Sequence, residues 1–276
     1  MTQSLLAHAL AFYLLSTATC IAHVVSGQES MRRWALGLLG CAFALHASAL
    51  SVQAVLLGYE SVATFQEELS YIACIMIGVY LLMALFLVQR TNLTVVGALV
   101  TPLAFLFTLS AYAFDKPTAE LPPQLQNIWL PAHVAPAFLG YAIFALAFCM
   151  SVIYLLQEKQ LKGKRKSDLF RRLPSLETLD HLNHRFVSWG FALFTVGIIT
   201  GTLLAKETWG ALWSWQPVEV ASATTWVLYA LLMHARNTGW RGRRAATLTI
   251  VGFVVLLVSF LSVNLVFPGK HTGSFD

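Results

Sequence analysis

Read along its length, the chain alternates long apolar stretches with short polar ones. The apolar runs are Leu5–Val25, Trp34–Leu57, Leu69–Gln89, Leu93–Tyr112, His133–Leu156, Phe186–Ala205, Val220–Ala235 and Ala245–Phe267. A helix rising about 1.5 Å per residue needs about 20 residues to cross a hydrocarbon core about 30 Å thick. The pattern therefore predicts an all-α fold, a polytopic membrane helix bundle with about eight transmembrane helices. The seventh run is the shortest and carries Ser222, Thr224, Thr225 and His234. That polarity predicts packing inside the bundle rather than against lipid. The first run has no basic flank before it and no small-residue cleavage site after it, so it reads as a retained helix.

Composition agrees with this pattern. Of the 276 residues, 57% are hydrophobic and only 11% are charged, where a soluble domain carries about 25% charged residues. The cations are placed unevenly. All 18 Lys and Arg except Lys116, Lys206 and Lys270 fall in the connections after the first, third, fifth and seventh runs. Positive residues concentrate on the cytoplasmic side, so both termini are expected on the outer face. The basic stretch around Lys164 then becomes a cytoplasmic loop near lipid headgroups, not a nucleic-acid site. There is no Gly-rich phosphate loop and no inverted repeat of the transporter kind. Cys20, Cys41, Cys74 and Cys149 all lie in apolar runs without CxxC spacing, which points to helix packing rather than thiol chemistry.

Candidate chemistry gathers on the expected outer face. Trp209, Trp213, Trp215 and Trp226, four of the eight tryptophans, fall within one 18-residue window. Such a group reads either as an interfacial belt or as a platform for a large flat apolar ligand. His133 begins the fifth run and His271 follows the eighth, on the same expected face. Two imidazoles there would suit the opposite faces of an iron macrocycle, although each alone reads equally as an interfacial residue. His234 closes the seventh run near the cytoplasmic face, and His46 lies within the second. Either is a ligand or a hydrogen-bonding residue between helices. His181 and His184 are expected to be solvated in the cytoplasmic loop beside Asp180 and Arg185, and His8 and His23 to be structural. Glu207 and Glu219 flank the Trp cluster, either to orient it through hydrogen bonds or to meet the charge of iron.

Trp209-Gly-Ala-Leu-Trp213-Ser-Trp215-Gln-Pro-Val-Glu219 resembles the tryptophan-rich "WWD" signature, WGxxWxWDxxE, of the haem-handling cytochrome c assembly proteins. The continuation through Trp226, Tyr229, His234-Ala-Arg236, Gly239-Trp240-Arg-Gly-Arg-Arg244 and Asn264 to His271 resembles the CcsA (ResC) branch. The length and helix count suit that branch better than the shorter CcmC branch. The likeness is strong from about Pro131 onward and faint over the first four helices.

The resemblance implies one integral membrane domain over 1–276, with an N-terminal four-helix part over 5–112 and a haem-handling core over 131–271 whose outer Trp-rich loop is 206–219. It implies that His133 and His271 are axial ligands of haem b held against Trp209, Trp213, Trp215 and Trp226, with Glu219 beside them. His234 would ligate a second haem within the membrane. Its opposite ligand would come from a CcsB/ResB-like membrane subunit, with His46 as the in-chain alternative. The implied role is system II cytochrome c biogenesis in the bacterial inner membrane, with the active face periplasmic. There haem is presented to the Cys-x-x-Cys-His segment of apocytochrome c, which makes the chain the haem-handling subunit of a cytochrome c synthase. A haem exporter or chaperone without ligation, or a membrane scaffold, are the alternatives. The signature's Asp is Gln216 here, which removes a formal negative charge from the loop.

Overall fold

The computed structural model describes residues 2–57, 64–87, 93–113, 128–163 and 173–266. Eight helices among them are long and apolar enough to cross a membrane. They are α1 (Thr2–Ser26), α2 (Glu29–Leu57), α3 (Phe65–Leu87), α4 (Thr94–Ala113), α5 (Trp129–Lys162), α6 (Leu176–Trp209), α7 (Pro217–Asn237) and α8 (Arg243–Val266). All the regular structure described is helical, because lipid supplies no partner for backbone amides and carbonyls.

Polar side chains inside the helices are satisfied locally. Thr101, Thr108, Ser151, Thr195 and Thr224 each donate to the carbonyl four residues earlier, at 2.7–2.9 Å. The ends of helices are fixed by their own chemistry. Thr64 and Glu67 form a reciprocal cap at the start of α3, with N···O distances of 3.1 and 3.4 Å, and the Ser175 hydroxyl accepts from the Thr178 amide at 3.1 Å to open α6.

The first four helices pack mainly on one another, as do the last four, and the two sets meet along α3, α4 and α5. In the first set His46 is fully buried between helices, with Nδ1 at 3.0 Å from the Tyr13 hydroxyl and Nε2 at 2.8 Å from the Ser70 hydroxyl. In the second set α5 and α6 have the most extensive contact. Glycines allow it: a Cβ on Gly190 would lie 2.7 Å from the Phe144 ring. That ring in turn stacks on Tyr229 of α7, with centroids 3.7 Å apart. Asn183 ties three helices together. It donates to the Ala147 carbonyl at 3.1 Å and the Ser151 hydroxyl at 2.7 Å on α5, and accepts from Thr249 of α8 at 3.3 Å.

Two expectations need correction. α6 begins ten residues before the apolar run at Phe186, so Asp180, His181, His184 and Arg185 are helical. His181 is exposed, but the Nδ1 of His184 is buried without a hydrogen-bond partner among the described residues. The polar head of α6 is stabilised by its Ser175 cap and by Asp180, which accepts from the Arg236 guanidinium at 2.7 Å. Second, α7 is the most exposed of the eight spans rather than an interior one. Its Thr225 is buried, whereas the exposed Thr224 uses its own helix carbonyl and needs no neighbour.

Candidate functional site

His133 lies in the second turn of α5, between Pro131 and Pro136, half-buried against α6. Its Nδ1 is 2.8 Å from the carbonyl oxygen of Gly197. A carbonyl only accepts, so Nδ1 carries the proton and Nε2 is left with the lone pair. A metal-ligating imidazole has its tautomer set by such a bond, and the same bond serves a histidine that braces two helices. One turn further along α6, a Cβ on Gly201 would lie 2.8 Å from both Cε1 and Nδ1 of the same ring. The imidazole thus rests in a notch that exists because residue 201 has no side chain.

Beyond Gly201, α6 continues for eight residues, about 12 Å, to Trp209. Gly210 ends it in the left-handed region at φ 74°, with its amide on the Lys206 carbonyl at 2.9 Å. The chain then folds into an exposed loop that reaches α7 at Pro217. Glu219 shapes this loop. Its carboxylate accepts from the Ser214 amide at 2.8 Å, the Ser214 hydroxyl at 2.9 Å and the Gln216 amide at 3.1 Å. Those two amides bracket Trp215, which is held at φ 58°, a conformation costing a non-glycine residue about 1–3 kcal/mol. The Trp215 ring is driven outward, 78% exposed, and meets Trp213 edge-on at 5.7 Å.

Of the two sequence readings of Glu219, the geometry matches loop orientation: one carboxylate caps α7 and bends the backbone around Trp215. Gln216 is the N-cap residue of α7, so the charge absent from this position is one that would have stood at a helix start. The pattern Gln216-Pro-Val-Glu219, with Pro at the first helical position and Glu at the third, signals that start. Glu219→Ala is expected to relax Trp215, raise protease cleavage within 210–216 several-fold and shift tryptophan emission. A loop equally resistant in the variant would show that the carboxylate does not hold it.

Trp226 approaches α6 from α7. Its Nε1–H donates to Thr195 at 2.9 Å, and its ring lies 5.4 Å from that of Phe191. Thr195 and Gly197 are two residues apart and so lie on opposite flanks of α6. His133 and Trp226 are therefore separated by that helix, whereas His133, Gly201 and the Trp209–Trp215 segment share one end of the bundle. His234 stands at the other end of α7, exposed. His46 is in neither place, and both its ring nitrogens are engaged by hydroxyls. His8 and His23 bond to the nearby Ser4 and Gln28 carbonyls at 2.6 and 3.0 Å. His271 lies outside the described residues, as do Lys164 with its basic neighbours, Arg90, Lys116 and Lys270. Sequence reasoning missed Gly197 and Gly201, which carry no side chain to mark them.

Residues 6–271 match the family model described as cytochrome C assembly protein. A cytochrome c biogenesis protein CcsA from Guillardia theta is 34% identical over 236 residues, covering 78% of this chain and 77% of its own. Another CcsA, from Synechococcus elongatus, is 30% identical, covering 86% and 87% of the two chains. Among solved structures, the cytochrome c haem lyase CcmF shares the fold with a TM-score of 0.68 at 17% identity over 96% of this chain. The chain spans about half the length of that lyase, 49%.

Proposed function

The chain belongs to the cytochrome c assembly protein family, and from that premise we propose that it binds haem b at the Trp-rich end and presents it to apocytochrome c. The observation that carries this reading is the His133 imidazole, held through Nδ1 by the Gly197 carbonyl, which leaves the Nε2 lone pair for a ligand. His133 binds one axial position of the iron, and His271 of the same chain takes the other. Trp209, Trp213 and Trp215 cover the porphyrin, their loop already bent into shape by Glu219. Pre-bending of this kind lowers the ordering cost of binding. Trp226 braces α7 against α6 and acts on the site through that contact.

In the reaction, each apocytochrome thiol adds across a haem vinyl double bond. Sulfur bonds to one carbon, its proton goes to the other, and no net oxidation occurs. The apocytochrome histidine replaces one of the two axial imidazoles, which is why neutral, exchangeable ligands suit the step. The chain's residues supply position and orientation. The Trp-rich end lies on the side poor in Lys and Arg and so faces away from the cytoplasm, which in a bacterial inner membrane is the periplasm. His234 ligates a second haem crossing the membrane, and its exposure on the open face of α7 leaves room for the opposite ligand from a CcsB/ResB-like subunit.

An absorption spectrum of the purified chain, produced with its partner subunit and ample haem, tests the reading. A bis-histidine haem spectrum is expected, weakened at least several-fold in both His133→Ala and His271→Ala. Haem-free wild-type protein would overturn it in favour of a scaffold.

A further inference from the structure

The connection between α7 and α8 carries chemistry that the Trp-rich end does not use. Gly239 and Gly242 adopt φ values of 97° and 65°, folding residues 238–242 into a tight turn. The amides of Thr238 and Trp240 donate to the carbonyls of His234 and Ala235, at 3.0 and 2.9 Å. The turn therefore curls back onto the last turn of α7, which bears His234. Its far side is tied to α6, where Asp180 accepts from the Gly242 amide at 3.0 Å and from Arg236 at 2.7 Å.

On this anchored frame Trp240, Arg241, Arg243 and Arg244 are all exposed. The Arg244 guanidinium lies 5.6 Å from the centre of the Trp240 ring. Among the described residues, the ion pairs engage Arg32, Lys162 and Arg236 and none of these three arginines. Asp180, the acid that reaches this turn among the described residues, is already committed to Arg236 and Gly242. The eleven residues from His234 to Arg244 thus offer an exposed imidazole, an exposed indole and three guanidiniums that form no ion pair among the described residues, at the end of one helical hairpin.

An anionic phospholipid headgroup would use the cations alone. A metalloporphyrin with two carboxylates uses the whole set: nitrogen for iron, a flat ring for the macrocycle, and guanidiniums for the carboxylates. Burying a carboxylate in hydrocarbon is costly, so a porphyrin inserting between helices keeps its propionates at the membrane surface. We infer that the Trp240–Arg244 turn captures the propionates of a haem whose iron is ligated by His234, and so orients haem as it enters the membrane. This rests on the reading of His234 as a haem ligand.

The test uses the full chain together with its partner subunit in phosphatidylcholine nanodiscs, with His133→Ala and His271→Ala silencing the other end. Haem and its dimethyl ester, whose propionates carry no charge, are titrated by Soret absorbance. With the arginines intact, haem is expected to bind about tenfold more tightly than the ester. In Arg241→Gln/Arg243→Gln/Arg244→Gln the two should bind alike, and the matching Lys variant should recover part of the preference. His234→Ala should abolish binding of both. Unchanged discrimination in the Gln variant overturns the inference, as does a silenced chain that binds no haem while the unsilenced chain still does. In a parallel set of nanodiscs containing phosphatidylglycerol, a Gln variant that keeps the haem preference but loses stabilisation by that lipid assigns the arginines to lipid and also overturns it. If the unsilenced wild-type chain binds no haem at all, the functional reading itself has failed.

Discussion

Gly201→Ala is expected to lower haem occupancy at the proposed His133 site by about 10- to 100-fold, the cost typical of disturbing the group that orients a metal ligand, while the chain still folds. The added methyl would lie 2.8 Å from both Nδ1 and Cε1 of His133, well inside van der Waals contact. The ring must then move, and it cannot do so without stretching its 2.8 Å bond to the Gly197 carbonyl. Loss of that bond frees the proton to sit on either nitrogen and lets Nε2 wander from the iron. Gly37→Ala and Gly40→Ala serve as controls, since nothing lies within 4 Å of a Cβ at either position. Soret absorbance per mole of purified protein, measured beside a thermal melt, decides the matter. Full haem content in Gly201→Ala, still abolished by His133→Ala, would show that the notch does not govern the ligand.

The largest loss of stability is expected at the opposite end. Asp180→Ala should destabilise the chain by about 3 kcal/mol, the scale for orphaning one member of a buried ion pair. Arg236 has a side chain only 5% exposed, and Asp180 is 19% exposed. Beyond the 2.7 Å pair, Asp180 accepts from the Gly242 amide at 3.0 Å, so one substitution strips that amide of its acceptor and leaves the guanidinium only its 3.1 Å bond to the Asp180 main-chain carbonyl, with no carboxylate to balance its charge. Asp180→Ala/Arg236→Leu should be less harmful than Asp180→Ala alone, because no buried charge is stranded. Melting of the four proteins in one detergent gives the comparison. Additive losses would show that the two groups do not act as a pair.

The count of helices was legible because a bilayer leaves the backbone so few choices. Apolar runs alone then mark the spans. The extra length of α6 was not legible, since Leu176–Arg185 is polar and becomes helical through a serine cap and an ion pair to Arg236, 56 residues away. The exposure of α7 was misread for a related reason. Hydroxyl groups look as though they need partners, yet Thr224 turns back on Val220. At the site, the residue types were readable while their relations were not. His133 stood out as an imidazole at the head of a span, but its partner is a backbone carbonyl, and any residue has one. Glu219 was seen beside the tryptophans; that its carboxylate bends the chain around Trp215 depends on two backbone amides.

The exposed helix α7 joins the two proposed haem sites. Its 21 residues span about 30 Å, with the tryptophan loop latched to its first turn by Glu219 and His234 borne near its last. The latch makes loop and helix one mechanical part, and that part is clamped along its length by the Tyr229 stack on Phe144, the Trp226 bond to Thr195 and the Arg236 pair with Asp180. α7 is thus a stiff strut: the tryptophans at one end and the imidazole at the other keep a fixed spacing, whatever settles on either.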